Sequence, residues 1–327
     1  MLLPSVVPRI LTCQRRRLYA SAAVAGTSSD TSTTPKVFQV FDRQAKRLQK
    51  DRAASQVEQS RTVDYLRDEI GARVADRLLD IHRNFDTVVD LGSGSGHIIK
   101  HVKADKVKKM ILCDMSALYR DKDIQYEVPV ERQLVDEELL PFKQDSLDAV
   151  LSSLSLHWVN DLPGTLIQIK NALKPDGVFI GAMLGGDTLF ELRTSLQLAE
   201  TERESGVSPR VSPMADSNDM SRLLSRTGFT LTTVDVDEIQ VNYPSMFELM
   251  KDLQAMGESN AVLTRRPLLK RDTMMAAAAI YKELHGHPDG TVPATFQIIH
   301  LIGWKPSENT PLPKKRGSAN VSLKDVL

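Results

Sequence analysis

Cysteine is close to absent. The 327-residue chain has only Cys13 and Cys113, which excludes a disulfide framework. Aromatic residues are 5% of the total, and the sequence holds no base-stacking array of the kind that binds single-stranded nucleic acid. Neither charge is in excess, since Lys+Arg and Asp+Glu both total 42, so no global field selects nucleic acid or an acidic partner. No apolar run approaches the ~18 uninterrupted residues of a membrane-spanning helix. The first 29 residues lack acidic side chains, while Arg9, Arg15, Arg16 and Arg17 supply positive charge and Ser and Thr accumulate over 28–34. With no apolar h-region, residues 1–35 read as a mitochondrial transit segment and not as a secretory one. Arg17-Leu18-Tyr19-Ala20-Ser21 resembles a matrix-protease site cut after Tyr19. Removal of that segment takes Cys13 with it and leaves one thiol, which suits a reducing matrix.

What the chain does have is Val88-Val89-Asp90-Leu91-Gly92-Ser93-Gly94-Ser95-Gly96, an apolar strand running into a glycine-rich turn. Glycine at alternate positions permits φ > 0 and lets a ligand approach the main chain. Such a βα turn is where doubly wound α/β folds hold a nucleotide-like cofactor. Dinucleotide folds use G-x-G-x-x-G to seat a pyrophosphate, whereas here the pattern is D-x-G-x-G-x-G. A carboxylate at the entry repels a pyrophosphate and suits a cationic ligand with an amino-acid group, such as S-adenosylmethionine. The next strand, Met110-Ile111-Leu112-Cys113, ends in Asp114. A carboxylate there can accept hydrogen bonds from both ribose hydroxyls.

The remaining pattern alternates strands and helices. A helical stretch after Pro35 places Phe38, Phe41, Ala45 and Leu48 on one face, with Lys46, Arg47 and Lys50 between them. A second helix over 65–81 carries the stripe Leu66, Ile70, Val74, Leu78 and Ile81, at helical spacing. Further strands are expected over 127–134, 149–153 and 178–182, with a helix capped by Asn160 before the last of these. Helices over 189–203 and 217–227 follow, then a long strand over 229–241. Two more helices, 246–256 and 273–284, precede a final strand over 295–304. This order implies right-handed crossovers and a mainly parallel sheet. The late helices read as an insertion over the substrate side. Past Lys305 the Pro-, Lys- and Ser-rich tail reads as unstructured, and no internal repeat is evident.

From 36 to 305 the chain resembles the class I S-adenosylmethionine-dependent methyltransferases. The resemblance implies a Rossmann-like α/β fold, a mainly parallel seven-stranded sheet with helices on both faces. It puts the methionine part of the cofactor at Asp90, Gly92, Ser93, Gly94 and Gly96, and the ribose at Asp114 with Met115 beside it. Asp136, in Asp136-Glu137-Glu138-Leu139-Leu140-Pro141-Phe142, matches the acidic position near the adenine amino group. Ser153, His157 and Trp158 belong to a segment that walls the sulfonium and substrate. The malonyl-carrier-protein methyltransferases of biotin synthesis are similar. A narrower likeness rests on Gly185-Gly186-Asp187-Thr188-Leu189-Phe190-Glu191-Leu192-Arg193, on Asp237-Glu238-Ile239-Gln240-Val241-Asn242-Tyr243-Pro244, and on Asp252-Leu253-Gln254-Ala255-Met256-Gly257-Glu258-Ser259-Asn260. These resemble a family of mitochondrial arginine hydroxylases that assist assembly of respiratory complex I. That likeness implies a peripheral protein on the matrix face of the inner membrane, an arginine of the complex I iron–sulfur subunit as substrate, and a small partner assembly factor.

The residues themselves leave three readings open: an arginine-modifying enzyme, a conventional methyltransferase acting on a carboxylate or quinone precursor, and a non-catalytic assembly chaperone stabilised by its cofactor. A guanidinium prefers carboxylates and aromatic faces, so Asp187, Glu191 and Tyr243 are the substrate-side candidates. His287-Pro288-Asp289 has H-x-D spacing with His300 further on, but Gly286 and Gly290 favour a turn, and no metal site is assigned. Arg265, Arg266, Lys270 and Arg271 could touch anionic lipid, with a solvated helix surface as the plainer reading.

Overall fold

The computed structural model describes residues 38–116, 124–311 and 316–318. The transit-like segment, and most of the tail past residue 311, lie outside them. Seven strands form one sheet in the order β3-β2-β1-β4-β5-β7-β6. The strands are β1 (Phe85–Leu91), β2 (Val107–Asp114), β3 (Val130–Leu134), β4 (Leu147–Ser153), β5 (Leu173–Leu184), β6 (Thr230–Tyr243) and β7 (Val292–Trp304). Pairings among β1 to β5 are parallel, and β7 runs antiparallel to both β5 and β6. The expected doubly wound, mainly parallel sheet is present.

Central strands of such a sheet are buried on both faces, so consecutive apolar residues serve opposite cores. Val88, Met110 and Leu112 face one apolar layer, and Val89, Ile111 and Cys113 face the other. The first layer is built from α3 (Tyr65–Leu79), α5 (Phe190–Glu204), α7 (Met246–Ala255) and α8 (Arg271–His285). The second uses α4 (Leu162–Ala172) and α6 (Ser217–Arg226). Four residues of the α3 stripe fall where the periodicity puts them, Leu66, Ile70, Val74 and Leu78 all being buried, whereas Ile81 lies past the end of the helix and is only partly buried.

Three local expectations are corrected. The cap of α4 is Asp161, which accepts from the Gly164 N–H at 2.9 Å. Asn160 instead accepts from the Val40 and Phe41 N–H groups, both at 2.8 Å, and pins the N-terminal segment. The first helical stretch divides into α1 (Arg43–Ser55) and α2 (Val57–Thr62). On α1 the apolar face does not point inward. Leu48 is exposed and Phe38 lies before the helix, while Lys46 is fully buried. Its inner face is basic because it packs on carboxylates: Asp114 at the end of β2, Asp136 and Glu137 past β3, and Glu258.

Candidate cofactor and substrate site

At the carboxyl end of β1 the chain turns through Gly92, Gly94 and Gly96 with φ of 76°, 54° and 88°, a region closed to most side chains. The turn is tied to the neighbouring strand: Gly92 and Ser93 N–H groups donate to the Cys113 carbonyl at 2.8 and 2.9 Å. Gly94 N–H donates to Asp114 Oδ2 at 3.0 Å, and Ser116 N–H donates to Asp114 Oδ1 at 2.9 Å. A Cβ on Gly92 would collide with the Ser155 side chain. Asp114 thereby orders the loop and stays buried at the strand end.

Asp90 is 1% exposed, and neither of its carboxylate oxygens has a hydrogen-bond partner. Burial, reinforced by the neighbouring Asp114 charge, pushes its pKa up to about 8. Ser93 and Ser153 hydroxyls in the same wall are also buried without partners. Buried polar atoms are almost always satisfied in folded proteins, so this cluster is built to meet something else. An unpartnered carboxylate, two hydroxyls and a ribose-competent Asp114 fit a cationic adenosyl ligand.

The opposite wall belongs to α1. Arg43, Lys46 and Lys50 share its inner face. Arg43 bridges Asp136 at 2.6 Å and also Glu137. Lys50 Nζ lies 3.2 Å from Asp114 and 3.4 Å from Glu137. Burial opposes the Lys50 ammonium, but Asp114 and Glu137 outweigh it and hold its pKa above the ordinary value. Glu137 is likewise disfavoured by burial, and Lys50 and Arg43 nevertheless hold its carboxyl well below the usual range. With Lys50 in place the space at the loop is about 60 Å³, far below the ~300 Å³ at which ligand pockets begin. The Lys50 ammonium contacts both oxygens of the Asp114 carboxylate that a ribose would need.

A second cavity, of about 380 Å³, adjoins the first and shares Arg67, Leu154 and Met256 with it. Its walls are mostly aliphatic, from Leu184, Leu189, Leu192, Met250 and Leu253 among others. Leu154 and Leu189 hold φ near +50°, uncommon for leucine and of a kind that gathers at functional sites. The arginines on this wall are all engaged: Arg67 with Glu258, Arg210 with Glu200, Arg265 with Asp42 and Arg266 with Glu204. Lys46, buried over the Trp158 ring at 3.5 Å, reaches Glu258 at 2.8 Å. Burial lowers its pKa to about 7, against the pull of Glu258.

The sequence-derived positions divide into three groups. Asp90, Gly92, Ser93, Gly94, Asp114 and Ser153 line the space at the loop, and Gly96 closes its turn. Met115 is buried beside them, with Ser116 as the lining neighbour. Asp136 is half exposed, and the next residue, Glu137, is the buried carboxylate that meets Lys50. His157 and Trp158 line the second cavity and not the first. The three substrate-side candidates lie outside both linings. Glu191 accepts from the Thr295 hydroxyl at 2.5 Å and fastens α5 to β7. Asp187 is exposed and accepts from Gln297 at 3.1 Å. Buried Tyr243 hydrogen-bonds Tyr65. Asp289 accepts from Thr291 within a turn, and no group of three His, Cys, Asp or Glu side chains suited to a metal occurs among the described residues. Lys50, Glu137 and Glu258 were missed; the sequence signal for the first was the basic spacing on α1.

A family profile described as a methyltransferase domain matches residues 63–234. Arginine-hydroxylase NDUFAF5, mitochondrial, of Danio rerio is 55% identical over 88% of this chain and 89% of its own length. The Homo sapiens protein of the same name is 54% identical over 92% and 87%. A malonyl-[acyl-carrier protein] O-methyltransferase of Methylovorus is 30% identical over 76% and 85%. A Bacillus halodurans crystal structure described as a methyltransferase superposes with a TM-score of 0.51 at 17% identity, over 71% of this chain and 99% of its own, a likeness of fold alone. The chain is thus an enzyme of Rossmann-like methyltransferase fold with a methyltransferase domain, and it belongs to the NDUFAF5 family of mitochondrial arginine hydroxylases.

Proposed function

We propose that this chain hydroxylates an arginine of the iron–sulfur subunit of mitochondrial complex I and promotes early assembly of that complex. The observation that carries this reading is 54–55% identity, over about nine-tenths of the chain, to proteins named as arginine hydroxylases. S-adenosylmethionine is the cofactor; when bound, it supplies an adenosyl group and a sulfonium cation. Asp90 would hold its cationic end, Asp114 would accept from the ribose, Ser93 and Ser153 would supply hydrogen bonds, and the adjoining cavity would take the target side chain. The basic face of α1 forms the opposite wall, with Lys50 paired to Asp114 and Glu137.

The relatives are named mitochondrial, and the acid-free N-terminus supports import. We place the enzyme on the matrix face of the inner membrane, as a peripheral protein working with a small partner assembly factor and without nucleic acid. No helix among the described residues is long and apolar enough to cross a membrane. The 30% kinship to a malonyl-carrier-protein methyltransferase, together with the aliphatic second cavity, favours methyl transfer as the second reading. Mass spectrometry of the target subunit from cells with and without this chain separates the readings. One added oxygen atom supports hydroxylation, one added methylene supports methyl transfer, and no change leaves a chaperone.

A further inference from the structure

The second cavity contains one polar group that nothing in the fold explains. His157 is 5% exposed, sits on the cavity wall, and has no hydrogen-bond partner at either ring nitrogen. Its Nε2 lies 3.7 Å from Glu258 Oε2, outside hydrogen-bond reach. The ring is braced by Trp158, with centroids 5.3 Å apart. The short helical turn Leu156–Trp158 that carries it follows directly from Leu154, the residue shared by both cavities. A buried imidazole with no hydrogen bond at either nitrogen is as uncommon as the unpartnered Asp90 carboxylate, and it stands on the substrate side.

The charged groups and the Asn260 amide on this wall are committed. Glu258, the only acidic residue lining the cavity among the described residues, already accepts from Lys46 and Trp158 at 2.8 and 2.7 Å on one oxygen. Its other oxygen accepts from Arg67 at 2.8 Å. The Asn260 carbonyl oxygen accepts from Ser212 and from the Val262 N–H. The arginines are paired, so they form walls and not sockets for an anion. An incoming N–H donor therefore finds an open and buried acceptor at His157, while a chain of methylenes finds Leu154, Leu184, Leu189 and Leu192. Burial lowers the His157 pKa despite Glu258 nearby, so the ring is neutral and one nitrogen keeps its lone pair.

We infer that His157 is the substrate-contacting acceptor of this cavity: it takes a hydrogen bond from the guanidinium N–H of the target arginine, whose aliphatic stem lies along the leucine wall. Glu258 is its positioning residue: its charge, 3.7 Å from Nε2, favours the tautomer with the proton on Nε2 and leaves Nδ1 as the acceptor. The inference rests on the arginine reading for the identity of the ligand, but not for the role of the ring.

The test uses the full chain saturated with S-adenosylhomocysteine and ¹⁵N-labelled at histidine, titrated with capped arginine, capped lysine and capped norleucine. Capped arginine should shift the His157 ring resonances, and capped norleucine should not. His157→Phe, which keeps the ring bulk against Trp158, should weaken capped arginine by about tenfold or more, as expected for a lost hydrogen bond to a charged group. His157→Gln, which restores an acceptor, should recover most of that loss. Wild-type circular dichroism and a cooperative thermal melt in both variants certify their folding. Capped arginine binding with His157 unmoved, or equally well to His157→Phe, overturns the inference. Capped lysine engaging His157 while capped arginine does not would retire the arginine reading and keep the role of His157. Binding of none of the three to the wild type overturns the inference as well.

Discussion

Replacing Asp90 by Asn should push stability and affinity in opposite directions. The wild-type carboxyl is buried, unpartnered and held near a pKa of about 8 by burial and then by Asp114. Because the folded value is raised above the ordinary 3.8, the folded protein keeps a proton that the unfolded chain has released. Asp90's own contribution to wild-type stability therefore falls as pH rises from about 4 to 8, at a limiting slope of about 1.4 kcal/mol per pH unit. Asn has the same shape and no such proton, so its advantage should be negligible below pH 4 and grow toward pH 8. Cofactor affinity should move the other way. Loss of a charge-assisted hydrogen bond costs ~1.5–3 kcal/mol, about ten- to a hundredfold in Kd. A cationic ligand also drives Asp90 to ionise, so wild-type binding at neutral pH should release a proton and the variant's should not. Calorimetry in buffers of different ionisation enthalpy reads both quantities, and thermal melts across pH read the stability. A variant that is less stable at pH 8 and binds S-adenosylmethionine as tightly as wild type would refute the reasoning.

The other residues of the loop give sharper single outcomes. Asp114→Ala removes both the acceptor for the ribose and the anchor of the Gly94 and Ser116 N–H groups, so S-adenosylhomocysteine binding should weaken at least about tenfold; equal binding would remove Asp114 from the cofactor's contacts. Lys50→Met should tighten S-adenosylhomocysteine severalfold and reduce its dependence on salt, because no ammonium then competes for Asp114, while the ligand-free protein loses stability through its unpaired acids. Weaker binding by that variant would make Lys50 part of the cofactor's seat. Gly92→Ala combines a φ of 76° with a collision against Ser155, and should cost more than ~1 kcal/mol in a denaturation midpoint. Wild-type stability would show that the turn relaxes freely.

Much of this was legible because strands buried on both faces leave continuous apolar runs, and because the glycine turn and Asp114 are local features of sequence. The α3 stripe was readable for the same reason: its core neighbours are apolar. Helix α1 was not, since periodicity arguments assume an apolar interior, and here the interior side is a set of carboxylates. That substitution of charge for hydrophobicity buries Lys46 and leaves Leu48 in solvent. In Asp136-Glu137-Glu138 the sequence cannot say which carboxylate turns inward; the bond from Ser155 to Glu137, at 2.8 Å, does. Asp187, Glu191 and Tyr243 were chosen for segments that overhang the sheet, yet their partners Gln297, Thr295 and Tyr65 come from distant parts of the chain. His157, expected in a segment that walls the sulfonium and substrate, lines the second cavity, beyond the Leu154 that both cavities share.

The most direct measurement is the intact mass of the complex I iron–sulfur subunit from cells that lack this protein and are complemented either with wild type or with Asp90→Asn. Wild type should add the mass of one oxygen to an arginine, and Asp90→Asn should restore that mass poorly although it is folded and present at equal level. Full oxygen addition by Asp90→Asn, or a methylene in place of the oxygen with wild type, would contradict an arginine hydroxylase that works from the glycine-turn site.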